Sequence, residues 1–179
     1  MKKSINTLLK HSSKDKVNRS ANPAVVRAST ILFDSMQELK AHEKKILKNQ
    51  KITHYSYGRY GSQTTIELEN IIKELEQAYL VFLTGTGFGG ISLALMSVCR
   101  PGDEILVSDN VYGPTKEISE KLLKEFNINA RFYDPESFED LKKKVTKKTK
   151  IILVENPGSI TFEFQDLSKI VNLAKKKKI

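Results

Sequence analysis

Cysteine is nearly absent from this 179-residue chain: Cys99 stands alone. That excludes an internal disulfide framework and fits a reducing compartment. No stretch approaches the roughly 20 apolar residues that a membrane helix requires, so no membrane partner is expected. The N-terminus opens Met1-Lys2-Lys3 but lacks the continuous apolar segment of a signal peptide, and a cytoplasmic protein is the expectation. No Gly-x-x-x-x-Gly-Lys-Ser/Thr pattern occurs, which argues against a P-loop nucleotide hydrolase. No metal site is expected.

What is present is the composition of a soluble globular protein, with 39% hydrophobic and 28% charged residues. The length suffices for one domain with a real core. The formal charge of +9 raises a nucleic-acid reading. The lysines at 121, 124, 142, 143 and 144 fall on the polar faces of predicted helices, however, so the charge reads as a solvated surface and no nucleic-acid partner is expected.

Residues 1–23 are polar and irregular, an N-terminal arm. Residues 24–32 are apolar enough to pack in extended form. A charged helix over 35–48 carries a thin apolar stripe of Met36, Leu39 and Ile46. The segment 49–63, with three tyrosines among glycine and serine breakers, reads as a loop with side chains to offer. Thr64-x-x-Glu67 has the form of a capping box. Leu68, Ile71, Ile72, Leu75 and Tyr79 then recur at helical spacing.

Residues 79–83 read as a buried strand feeding the turn Thr84-Gly85-Thr86-Gly87, and 88–98 as a buried helix. Strands are predicted at 104–107, 130–133 and 150–154. Helices between them start at Pro114, whose missing N–H costs nothing there, and at Ser137. The first carries Ile118, Leu122, Leu123 and Phe126. Asp166 caps a last helix with Leu167, Ile170, Val171 and Ala174. The alternation βαβαβαβα implies an α/β fold: a partial parallel sheet with helices on both faces. The organisation expected is an N-terminal arm and helix over 1–50, then an incomplete larger domain over 51–179.

Four segments carry candidate chemistry. Gly85 and Thr86 sit in a glycine-rich strand-to-helix turn, where backbone N–H groups and the helix dipole favour a phosphate. The same stretch satisfies a loose dinucleotide pattern, Gly85-x-Gly87-x-x-Gly90, with Asp103 or Asp109 as the ribose-binding acid. Tyr112 follows the next strand and would share the carboxyl rim of the sheet, where a ring can stack on a planar ligand. Arg59, beside Tyr57, offers a planar cationic fork suited to phosphate. Glu155-Asn156-Pro157-Gly158-Ser159 follows the third strand on that rim.

In this order the segments resemble the N-terminal half of the Cys/Met-metabolism family of pyridoxal-phosphate enzymes, the trans-sulfuration enzymes, and within it the cystathionine β-lyase branch. Arg27-Ala28-Ser29-Thr30-Ile31-Leu32-Phe33-Asp34-Ser35 and Pro157-Gly158-Ser159-Ile160-Thr161 extend the likeness over nearly the whole chain. The stretch Gly158-Ser159-Ile160 departs from many relatives and points to the β-lyase branch.

The resemblance implies the large domain of fold-type I enzymes and pyridoxal 5′-phosphate as cofactor. It implies an amino-acid substrate and a tetramer-like homo-oligomer. Tyr57 and Arg59 match the pair that reaches the phosphate from a neighbouring subunit. Gly85 and Thr86 match the phosphate turn, Tyr112 the ring-stacking tyrosine, and Ser159 a substrate-side loop. The family's aspartate for the pyridine nitrogen and its Schiff-base lysine have no counterpart here, and Thr115-Lys116, Thr146-Lys147 and Thr149-Lys150 are misplaced to serve. The expectation is a truncated relative, inactive alone, with a second complementing chain or a small phosphate- or nucleotide-binding module as alternatives.

Overall fold

The computed structural model describes residues 23–49 and 56–179. Residues 1–22 of the expected arm over 1–23, residues 50–55 of the tyrosine-bearing loop and the Ile46 side chain lie outside the described residues. The chain forms two compact units, 1–83 and 84–179.

In the first unit, helix α1 spans Met36–Asn49 and α2 spans Gln63–Glu76, with a 3-10 turn at Gly58–Tyr60. The start of α2 differs from expectation. Ser62, not Thr64, is the N-cap: its hydroxyl accepts from Thr65 N (3.3 Å), and Thr65 Oγ1 accepts from Ser62 N (2.7 Å). Thr64 is engaged elsewhere, because its hydroxyl accepts from Val26 N and donates to Ala24 O, pinning the preceding extended segment onto α2. That segment also meets the Tyr57 loop through the antiparallel bridge Thr30–Tyr57 and the bond from Gly58 N to Ser29 O (2.7 Å). Val25 and Leu32 remain exposed, so it packs by its backbone more than by its apolar side chains.

The strand expected over 79–83 does not form. Its composition is right, but a strand exists only through a ladder partner, and the segment pairs with none among the described residues. Tyr79 and Phe82 are exposed, and Leu83 N is held instead by Glu69 Oε1 at 3.3 Å.

The second unit carries the sheet. Its elements are α3 Gly87–Val98, β1 Glu104–Ser108, α4 Gly113–Glu120, α5 Leu122–Glu125, β2 Asn129–Tyr133, α6 Phe138–Lys144, β3 Thr149–Leu153 and α7 Leu167–Lys177. The strand order is β2-β1-β3, with both pairings parallel. β1 is buried along its whole length, as a central strand must be. Its side chains alternate between two cores. Ile105 and Val107 pack with Leu95 of α3, Cys99 just after it and Leu123 of α5. Leu106 points the other way, to Tyr133, Leu141 of α6, and Ile170 and Leu173 of α7. A parallel sheet covered by helices on both faces is the architecture that the alternation of elements predicts.

Two helices depart from expectation. The helix after Pro114 breaks at Lys121 (φ −106°, ψ −72°) into α4 and α5; Ile118 and Leu123 stay buried, while Leu122 and Phe126 turn outward. Helix α3 is not buried all round. Leu95 faces the sheet, with Ile91 one turn before it, but Leu93 is 59% exposed, and Met96 and Val98 are exposed beside it.

Candidate functional site

The C-terminal ends of β1 and β3 and the N-terminus of α3 surround a cleft of about 420 Å³. Gly87, Phe88 and Ile91 line one side; Val111, Tyr112 and Thr115 another; Leu153, Val154 and Glu155 a third. This is where an open parallel sheet gathers ligands, outside the carboxyl ends of its strands.

Each wall has a local cause. Thr86 caps α3, its hydroxyl accepting from Gly89 N at 2.9 Å. The first N–H groups of the helix, those of Gly87 and Phe88, have no acceptor within it, and the dipole adds partial positive charge at that end. Around Gly85 and Gly87 there is open space where a side chain would begin, so an anion can approach the backbone directly. Tyr112 stands at the N-terminus of α4, 48% exposed, with Pro114 in the first turn behind it. Its N–H donates to Glu155 Oε2 at 2.9 Å, joining the loop after β1 to the end of β3. Thr115 also lines the cleft; its hydroxyl oxygen is buried without a hydrogen-bond partner among the described residues.

Ser159 is half-buried in the loop beyond β3, with its N–H donating to Asn110 O at 2.8 Å. Gly158 is buried against Asn110, where a Cβ would collide with the Asn110 amide. Below this loop lies a buried polar cluster. Ser108 Oγ donates to Asn110 Oδ1, and Asn110 Nδ2 donates to Glu163 Oε2 at 3.3 Å. Gln165 Nε2 donates to Ser108 Oγ at 2.9 Å, and Tyr133 OH donates to Gln165 Oε1 at 2.8 Å. Burial pushes the Tyr133 phenol up to about 12, against a smaller opposing effect from Ser108, so it stays a donor at neutral pH.

Tyr57 and Arg59 belong to the first unit. The Arg59 guanidinium stacks on the rings of Tyr57 and Tyr60, 5.5 and 5.3 Å from their centroids. Gly58 between them allows the extended segment at Ala28 to approach, because a Cβ there would run into Ala28 O. A second cleft of about 320 Å³ beside Arg59 is lined by Tyr60, Thr65, Glu69 and Phe82.

The structure thus brings Gly87, the last residue of the 84–87 turn, to one cleft with Tyr112 and Glu155; Gly85 and Thr86 precede it without lining the cleft, and Ser159 stands on the neighbouring loop. Sequence reasoning placed Glu155 on the rim only as the start of a turn segment, without a role for its carboxylate, and missed two contributors. Thr115 looked like ordinary helix, and Gln165 sits in a stretch without any chemical signature. Of the lysines considered as stand-ins, Lys116 lies over the Phe132 ring with its ammonium on Asp109 Oδ1 at 2.5 Å. That ion pair also engages Asp109, one of the two acids offered for a dinucleotide ribose. Among the described residues, no lysine lines the cleft.

The sequence matches the Cys/Met metabolism PLP-dependent enzyme family over residues 6–179. It is 33% identical to the cystathionine beta-lyase of Bordetella avium, covering 97% of this chain and 44% of that protein. It is 32% identical to the cystathionine beta-lyase of Haemophilus influenzae, covering 96% and 43%. A solved Campylobacter jejuni structure containing N′-pyridoxyl-lysine-5′-monophosphate superposes with a TM-score of 0.87 at 24% identity, over 99% of this chain and 43% of that one. The chain therefore spans a little under half the length of the relatives it matches. By sequence and by fold, it belongs to the Cys/Met-metabolism family of pyridoxal-phosphate-dependent enzymes.

Proposed function

We propose that this chain carries the phosphate-cradling and ring-stacking part of a cystathionine β-lyase type of site. The observation that carries the reading is the one cleft joining the capped N-terminus of α3, open at Gly87, to Tyr112 at the rim of the sheet. The residues fit pyridoxal 5′-phosphate. Gly85, Thr86 and the first N–H groups of α3 would receive its phosphate. The Tyr112 ring would cover its planar face, and the orphan hydroxyl of Thr115 offers a further polar contact. Arg59, fixed in its stack on Tyr57 and Tyr60, would serve the phosphate of a second copy's site in a homo-oligomer. Ser159 would face the amino-acid substrate.

When bound, pyridoxal phosphate supplies the electron sink that lets an amino acid lose its α-proton and then its β-sulfur. For cystathionine and water, the products are homocysteine, pyruvate and ammonia. This chain's own residues bind and orient. Among the described residues, the cleft supplies neither the amine that would hold the cofactor covalently nor a carboxylate placed for its ring nitrogen; Glu155 is spent on Tyr112 N–H. Carbon–sulfur cleavage would thus need groups beyond those of the described cleft, whose own residues bind and orient.

The test is a titration of the chain with pyridoxal phosphate, followed by absorbance and induced circular dichroism. Saturable binding that inorganic phosphate displaces, and that Tyr112→Ala weakens about tenfold or more, is expected from the loss of one aromatic face. Binding indifferent both to phosphate and to Tyr112→Ala would contradict the assignment.

A further inference from the structure

The residue that holds this cleft together stands outside it. Gln165 is 8% exposed, and its side chain is fully engaged. Its Oε1 accepts from Tyr133 OH at the end of β2 (2.8 Å). Its Nε2 donates to Ser108 Oγ at the end of β1 (2.9 Å) and to the Glu155 carbonyl just beyond β3 (3.3 Å). Its backbone N–H donates to Asn156 Oδ1 at 2.8 Å. One carboxamide thus ties the carboxyl ends of all three strands. Glu155, fixed at its carbonyl by Gln165, presents the carboxylate that accepts the Tyr112 N–H. Tyr112 has no side-chain cap of its own and is the residue from which α4 starts. Its N–H bond to Glu155 is thus its tie to the opposite wall of the cleft.

We propose that Gln165 is a positioning residue acting through Glu155: its buried carboxamide sets the Glu155 main chain, and the Glu155 carboxylate sets Tyr112 over the cleft. A buried amide whose donors and acceptor are all satisfied is rigid, and an isostere that cannot donate leaves partners unpaired. Gln165→Glu is such an isostere. It keeps the volume and the acceptor but loses the two N–H donors toward Ser108 and the Glu155 carbonyl. Only the assignment of the Tyr112 ring to a cofactor rests on the proposed function; the relay itself is a property of the free chain.

The experiment is residue-resolved amide hydrogen exchange on the full chain without cofactor. In Gln165→Glu, exchange at Tyr112 N–H rises about tenfold, while Leu106 and Val107 in β1 keep their protection. Unchanged exchange at Tyr112 would overturn the relay, and so would a parallel rise at Leu106 and Val107, which would mean general loosening. Glu155→Ala, at a half-buried position beyond the end of β3, provides the ordering. It frees the Tyr112 amide but leaves that of Gln165 protected; equal loss at Gln165 would contradict the direction proposed.

The same variants are then titrated with pyridoxal phosphate. Weaker binding by both supports the relay, and wild-type affinity in a Gln165→Glu chain with a loosened Tyr112 amide overturns its role in the cleft. Absence of binding by the wild-type chain would refute the functional reading alone, since the exchange pattern decides the relay without it.

Discussion

At the residue scale, the most telling group is one that plays no part in the cleft. Glu104 opens the central strand, 6% exposed, with a complete set of partners. Oε1 accepts from Thr149 and Thr146 (2.8 and 3.0 Å), and Oε2 accepts from Arg131 (3.0 Å). Burial alone would push its carboxyl up; the hydrogen bonds from Thr149, Arg131 and Thr146, with the charge of Arg131, outweigh that and hold it below its ordinary value of 4.5. A carboxyl whose folded value is depressed stabilises the fold above the unfolded value and loses that contribution as pH falls through the folded one. Glu104→Gln should cost about 1–3 kcal/mol at neutral pH and flatten the acid limb, read as urea midpoints over a descending pH series. An acid limb as steep as that of the parent would count against this role. The sequence marks Glu104 only as the first residue of a strand, because its partners lie 27 to 45 positions away.

At the element scale, caps and periodicities were readable where they are local. Ser137, Asp166 and Pro114 stand where their chemistry places them. The cap of α2 was misplaced by two residues because two hydroxyls compete there, and the long-range bonds of Thr64 to the 24–26 segment decide between them. The absent strand at 79–83 and the half-exposed α3 share a cause. Apolar composition says that a segment wants cover, not whether the described chain provides it. For α3 the end facing the cleft is the capped one. Thr86→Ala removes the acceptor for Gly89 N and should cost about 1 kcal/mol of stability. Chemical unfolding measures that cost, and no loss would mean that the cap is dispensable. The candidate site follows the same division. The nearness of the glycine turn, through Gly87, and of Tyr112 to one cleft was legible because a strand-to-helix turn and a rim aromatic are local signals, whereas the places of Thr115 and Gln165 depend on neighbours that the fold supplies.

At the scale of the whole molecule, the apolar surface is the dominant unspent quantity. Leu93, Met96 and Val98 lie bare on α3; Ile160, Phe162 and Phe164 project from the loop after β3; and Leu167 and Val171 continue along α7. With edge strands β2 and β3 that pair with no further strand among the described residues, such surface favours association. The chain expressed alone should self-associate, giving a mass by light scattering that rises with concentration. A monodisperse monomer with one cooperative melt would refute this.

The central claim is a cleft that cradles pyridoxal phosphate without bonding it covalently. Its most direct test is to saturate the folded chain with pyridoxal phosphate, reduce with borohydride and map the products by mass spectrometry. The account predicts reversible spectral saturation with no lysine preferentially labelled. A stoichiometric adduct on one lysine would contradict it and place a covalent catalyst within this chain.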